Sequence, residues 1–159
     1  MWPFTKKKRT PDRLPIDGPW SVAHGENNGK VMIVRSNTGY KDFGSVASYE
    51  HQVGIAVPLR APEPTGLPSP AEDTELGTIE DIICASLEQQ AESLFVAIIS
   101  TSGMREFVFY TRAPEQVKQR FEQLRSGITS HEIQLMIRPD KDWGVYGQVA
   151  SYGGSTGKG

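Results

Sequence analysis

Residues 93–111 run Ser-Leu-Phe-Val-Ala-Ile-Ile-Ser-Thr-Ser-Gly-Met-Arg-Glu-Phe-Val-Phe-Tyr-Thr. Two β-branched and aromatic stretches flank a Ser-Gly break, which is the pattern of a β-hairpin. Both stretches are apolar at odd and even positions, so neither face of the hairpin can be left in water. It must lie inside a sheet whose two faces are covered. With 159 residues, the chain can supply that cover from a single domain.

The elements that could provide it follow from periodicity. Trp20–Ala23 and Lys30–Arg35 flank the turn-rich Gly25-Glu26-Asn27-Asn28-Gly29 and predict an N-terminal hairpin. Val53, Ile55, Val57 and Leu59 alternate with Gly54 and Ala56, which predicts a strand over 51–59 whose second face admits something bulky. Ser69-Pro70-Ala71-Glu72 is a capping box with proline at the first helical position. Leu76, Ile79, Ile83 and Leu87 then recur at helical spacing, so a helix runs from about Pro70 to about Gln90. A second helix begins at Ala113-Pro114-Glu115, carries Val117, Phe121 and Leu124 on one stripe, and ends at Ser126-Gly127. His131–Ile137 alternates and forms the last strand.

From Gln52 onward the order is strand, helix, strand, strand, helix, strand. This is the ferredoxin-like split βαβ pattern: an α+β fold with an antiparallel sheet and two helices on one face. The N-terminal hairpin extends the sheet or covers its other face. Residues 1–18, with Lys6 to Arg9, read as a flexible basic lead, 19–150 as the domain, and 151–159 as a disordered Gly/Ser-rich tail.

Composition excludes several classes of function. A net charge of −2 gives no global field for nucleic acid or an anionic membrane. No apolar run approaches the roughly 20 residues of a membrane span, and no apolar segment follows the N-terminal charges as in a secretory signal. The expected setting is a reducing cytoplasm, consistent with a single cysteine, Cys84, in a predicted helix with no cation beside it. His24, His51 and His131 show no metal-ligand spacing, and no motif implies a cofactor.

Several residues remain as candidates for contact chemistry. Arg105 is a charge within a strand, and Glu80 and Asp81 are acids on the preceding helix, suited to pairing with it or to framing an anion site. Eight acids and no Lys or Arg lie between Glu63 and Glu92, either a solvated helix face or a surface for a basic partner. The run Arg105-Glu106-Phe107-Val108-Phe109-Tyr110 falls where RNA-recognition domains keep stacking aromatics, although the motif's glycine is missing. Trp143 and Tyr146 are three apart in a closing segment too short to form its own core. Trp143 is therefore expected to dock on the sheet over Gly54 and Ala56, with Asp142 supporting the turn.

Taken together, Gly66-Leu67-Pro68, Glu72, Leu76, Glu80-Asp81, Thr101-x-Gly103-x-Arg105-Glu106-Phe107, Tyr110 and Asp140-x-Asp142-Trp143-x-x-Tyr146 resemble the bacterial domain of unknown function 695 family. The resemblance spans roughly residues 20–149 and brings no established activity or catalytic residues. The hairpin and the closing Trp-x-x-Tyr are also similar to the regulator of ribonuclease activity B group, which has a ferredoxin-like fold and binds a protein. By fold-level analogy that implies a regulator or adaptor with the acidic helix as a contact surface.

The expectation is therefore a binding module for a protein partner rather than an enzyme, with Arg105, Glu106, Tyr110, Glu80, Asp81, Trp143 and Tyr146 as candidate binding residues. One alternative is a small hydrolase using Arg105, Glu106, His51 and His131. Another is a weak RNA binder acting through the sheet.

Overall fold

The computed structural model describes residues 13–157, and side chains within 13–152. The basic stretch Lys6 to Arg9 lies outside the described residues. The strands are β1 (Trp20–Asn27), β2 (Lys30–Asn37), β3 (His51–Pro58), β4 (Ser93–Thr101), β5 (Met104–Thr111) and β6 (Gln134–Pro139). The helices are α1 (Pro70–Leu87), α2 (Pro114–Gly127) and α3 (Gly144–Gly157). One six-stranded sheet has the order β1-β2-β4-β5-β3-β6, with every neighbouring pair antiparallel.

Both hairpins turn on two residues with positive φ. Asn28 (54°) and Gly29 (81°) join β1 to β2, and Ser102 (53°) and Gly103 (78°) join β4 to β5. Such turns match the right-handed twist of the flanking strands. The N-terminal turn is tighter than the sequence suggests, because β1 continues through Gly25. A side chain at Gly25 would collide with the ring of Tyr152 on α3, so this glycine makes room for a helix as well as belonging to a strand. The hairpin extends the sheet through the pairing of β2 with β4.

The two-sided apolar character of β4 has a local cause. The register shifts between Phe95 and Ala97, so parity changes along the strand. Phe95 and Ile98 face one core, and Leu94, Val96 and Ala97 face the other.

The first core lies under α1 and α2. Leu76, Ile79, Ile83 and Leu87 of α1 and Val117, Phe121 and Leu124 of α2 pack on Val53, Ile55, Val57, Phe107 and Phe109. The Ser69 hydroxyl accepts from Glu72 N (3.2 Å), fixing the start of α1. The second core lies on the opposite face. There Tyr146, Val149 and Ala150 of α3, Trp143 just before it, and Tyr40, Val46 and Tyr49 from the β2–β3 connection cover Val34, Leu94, Val96, Val108 and Tyr110.

The closing segment is helix, and Tyr152 on it reaches β1 and donates to Glu26 O (3.2 Å). At the other end of the described residues, Leu14 packs on the second core and Asn37 Nδ2 donates to Pro15 O (2.7 Å). One expectation is corrected here. The last strand begins at Gln134, since 131–133 lead into it as buried and exposed residues without pairing. Among the described residues, no helix is long and apolar enough to cross a membrane.

Candidate functional site

The candidate binding residues divide between the two faces. Arg105 shares its parity with Phe107 and Phe109 and so lies on the α1 side. Its guanidinium is largely buried; Nη2 pairs with Asp73 (3.0 Å) and Nε donates to Ser100 Oγ (2.9 Å). The expected partners Glu80 and Asp81 are thus replaced by Asp73, one turn or more nearer the start of α1. Glu80 instead faces Arg35 at 3.9 Å; burial raises its carboxyl, while Arg35 pulls the other way. Glu75 pairs with Arg60 (3.0 Å), Glu92 with Arg120 (2.9 Å) and Glu72 with His131 (2.7 Å). Four of the eight acids between Glu63 and Glu92 therefore meet an arginine from elsewhere in the chain, and Glu72 meets His131. The acidic patch visible in the sequence is largely a set of internal ties.

Glu106, Tyr110, Trp143 and Tyr146 belong to the other face. The Tyr110 and Trp143 rings stack at 4.1 Å with 12° between planes. The Tyr110 hydroxyl donates to Asp140 Oδ2 (2.6 Å) and accepts from Tyr146 N (3.1 Å). Asp140 also accepts from Gly144 N (2.9 Å) and Val145 N (3.0 Å), anchoring the start of α3. Burial alone would raise the Asp140 carboxyl, but the Tyr110 hydroxyl and these two N–H groups outweigh it and hold it below the ordinary range. The capping acid is Asp140, whereas Asp142 was expected to support this turn. Trp143 Nε1 donates to Tyr49 O (2.8 Å), and Tyr146 OH donates to Asn37 O (2.6 Å). Burial pushes the Tyr146 phenol up to about 12. Trp143 is 1% exposed, so it docks as expected, but on Tyr110 and Tyr40 rather than over Gly54. The space above Gly54 holds Glu106 and Met136.

Glu106 makes no hydrogen bond or ion pair among the described residues. Burial raises its carboxyl, and Arg138, which donates to Gln52 Oε1 (2.9 Å), lowers it only in part.

The four residues of the hydrolase alternative do not converge. Arg105 and Glu106 lie on opposite faces of the sheet. His51 pairs with Pro139, whereas Ala56 pairs with Gln134. That stretch of β3 alone spans about 17 Å, and His131 lies beyond its far end. Phe107, Phe109 and Tyr110 are each 0% exposed, which leaves no aromatic platform on β5 for stacking bases.

A different cluster forms around His131. Glu72 and His131 are both buried, 59 positions apart. Glu72 Oε2 accepts from Arg60 N (2.6 Å) and meets His131 Nε2 (2.7 Å), and Oε1 accepts from Ala61 N (3.2 Å). Burial would raise this carboxyl; the Arg60 N–H, His131 and the Ala61 N–H together hold it low. His131 Nδ1 meets Ser130 Oγ at 3.0 Å. The capping box accounted for Glu72 at the level of sequence and so concealed its second role. Only half of that box forms, because the carboxylate turns to Arg60, Ala61 and His131 rather than back to Ser69. The adjacency of Ser130 and His131 was the one visible signal.

Ser130 stands at one end of a groove between α1 and the end of α2. Ile82, 43% exposed, lies at its middle beside Ile128 and Gly127, with Ala85, Ser86 and Gln123 further along. Among the described residues no group of three or more His, Cys, Asp or Glu could hold a metal ion.

The model of a family of unknown function, DUF695, matches residues 18–149. No curated protein and no solved structure matches the chain.

Proposed function

This chain belongs to the DUF695 family, whose function is unknown, and from that premise we propose that it works by binding a protein partner in the cytoplasm. The observation that carries this reading is Ile82. A large aliphatic side chain on a packed helix is 43% exposed at the centre of a groove, between Ile79, Leu124 and Ile128 of the first core. Apolar side chains gathered in a concavity are the usual seat of a partner's anchor residue. Glu75, the carboxylate that lines the groove, is paired with Arg60, so the groove selects by shape and apolarity more than by charge. The partner accordingly presents an aliphatic or aromatic side chain.

The architecture supports the same reading. Segments β3, α1, β4, β5, α2 and β6 lie in the sheet order β4-β5-β3-β6 with antiparallel pairing, which we read as ferredoxin-like, with the β1–β2 hairpin and α3 as additions. The helical face then remains the free one, since α3 and the β2–β3 connection cover the other.

The test is photo-crosslinking in native cell extract from a reactive residue at position 82, with position 22 on β1 as an exposed control. A discrete crosslinked protein from position 82, displaced by excess wild-type chain but not by Ile82→Ser, supports the reading. Equal crosslinking from both positions, or displacement by either chain, overturns it.

A further inference from the structure

Ser130, His131 and Glu72 form a chain of hydrogen bonds that ends in solvent at one end and in a buried carboxylate at the other. Both Glu72 oxygens already accept backbone N–H bonds, and the group is held ionised, so it can only accept from the histidine. His131 Nε2 therefore carries the proton in the neutral ring, and Nδ1 presents its lone pair. Ser130 Oγ, 3.0 Å from Nδ1, is then the donor. A nucleophile bonded to a base that a third group orients is the arrangement that activates a serine. Backbone placement makes it rigid: Ser130 and His131 are consecutive, and Glu72 is fixed by the capped start of α1.

We propose that Ser130 is a base-activated nucleophile, with His131 as general base and Glu72 as the positioning residue, and that it hydrolyses small uncharged esters whose apolar acyl group lies in the adjoining groove. The part of that groove beside Ser130 holds about 310 Å³ and is lined by Glu75, Thr78, Ile79, Ile82 and Ile128, with no Lys or Arg among its lining residues, so it offers nothing to an anionic acyl chain. In the first step Oγ bonds to the carbonyl carbon while its proton passes to Nδ1. The ester C–O bond breaks, and the leaving alcohol takes that proton. Water then attacks the acyl carbon, gives a proton to Nδ1, and releases the carboxylic acid as Ser130 is restored. This activity goes beyond the protein-binding role and does not rest on it.

The test is labelling of the full chain with an alkyl fluorophosphonate, read by intact mass and peptide mapping. One adduct is expected, on Ser130 and absent in Ser130→Ala, forming about 100-fold or more faster than on Ser126. Ser126 is the internal reference because it is exposed and bonds only a helix carbonyl, Glu122 O. Glu72 is tested through the pH profile of labelling. The imidazole faces Glu72 on Nε2; Arg60, whose N–H meets the same carboxylate, pairs with Glu75, and Glu132, next to His131 in the chain, accepts from Gln134 Nε2. Glu72→Gln should move the labelling midpoint to lower pH and reduce the plateau; an unmoved midpoint overturns the role of Glu72. Should that variant unfold, Ser130→Cys tests the base: its thiol should alkylate with iodoacetamide at neutral pH faster than that of Ser126→Cys, at a likewise exposed position, and equal rates overturn the proposal. No adduct, or equal rates at Ser126 and Ser130, overturns the proposal.

Discussion

The two faces of one sheet are sealed by different chemistry. Beneath α1 and α2 the core is aliphatic and phenylalanine side chains, with polar atoms kept to its margin. Beneath α3 it is Tyr40, Tyr49, Tyr110, Trp143 and Tyr146, and most of their polar tips reach backbone or carboxylate groups distant in sequence. Tyr49 OH donates to Ala91 O (2.6 Å), Trp143 Nε1 to Tyr49 O, and Tyr146 OH to Asn37 O. The first face depends on area removed from water, which is tolerant of detail. The second depends on directed bonds, each of which leaves a buried group unsatisfied if its partner is lost. The first face can therefore carry a groove and an exposed Ile82 without loss, whereas the second has little surface to spare for a partner.

The largest effect should come from the keystone of the aromatic face. Trp143→Ala removes a ring stacked on Tyr110 and packed against Tyr40 and Tyr146, and should cost about 3–5 kcal/mol, measured by chemical denaturation. A loss below 1 kcal/mol would break the comparison, because the face would then not depend on its aromatics.

Next is Asp140→Asn. The wild-type carboxylate serves the Tyr110 hydroxyl and two N–H groups at the start of α3, and its loss should cost about 1–3 kcal/mol at neutral pH. The sign with pH follows from the lowered carboxyl. A folded-state value below the ordinary one contributes stability above the unfolded value of about 4, and that contribution disappears as pH falls through the folded value. The difference between wild type and Asp140→Asn should therefore shrink on acidification. A constant difference from neutral pH to strongly acid pH would show that geometry, not charge, is what Asp140 supplies.

How far the chain was legible follows the same division. The stripes Leu76-Ile79-Ile83-Leu87 and Val117-Phe121-Leu124 declare the first face, because periodicity is a local signal. Trp143 and Tyr146 declare themselves as aromatics that need cover, but their partners Tyr49, Asn37 and Tyr110 lie 94, 109 and 36 positions away. No local pattern encodes such pairings. The resemblance motifs prove to be ties of this kind: Gly103 N donates to Gly66 O (2.8 Å), Arg105 pairs with Asp73, and Tyr110 donates to Asp140. Ile82 stands beside the α1 stripe in the sequence as one more apolar residue, and its place in a groove depends on where α2 ends. Glu72 was legible as a cap, and its bond to His131 was not.

Smaller effects should separate satisfied from unsatisfied groups within the aromatic face. Tyr146→Phe strands Asn37 O and should cost about 0.5–1.5 kcal/mol. Tyr40 OH is the buried side-chain atom without a hydrogen-bond partner among the described residues, so Tyr40→Phe should be neutral or slightly stabilising by the same measurement. Equal losses in both variants would mean that the hydroxyls do not differ in their surroundings.

The smallest expected change is a gain. Among the described residues Glu106 has no ionic or hydrogen-bonding partner, and burial raises its carboxyl. A raised folded-state value means that its ionisation opposes folding as pH rises through that value. Glu106→Gln should thus stabilise the protein at neutral pH, with the gain fading toward pH 4. Destabilisation at neutral pH would show that the carboxylate is needed by the fold.

The central claim is that the aromatic face holds the protein together while the groove at Ile82 engages its partner. Its most direct measurement is the melting temperature of Ile82→Ser taken beside its ability to displace the protein crosslinked from position 82. The account predicts a melt close to wild type, since an exposed substitution changes stability by no more than about 0.5 kcal/mol, together with lost displacement. A normal melt with full displacement would contradict it.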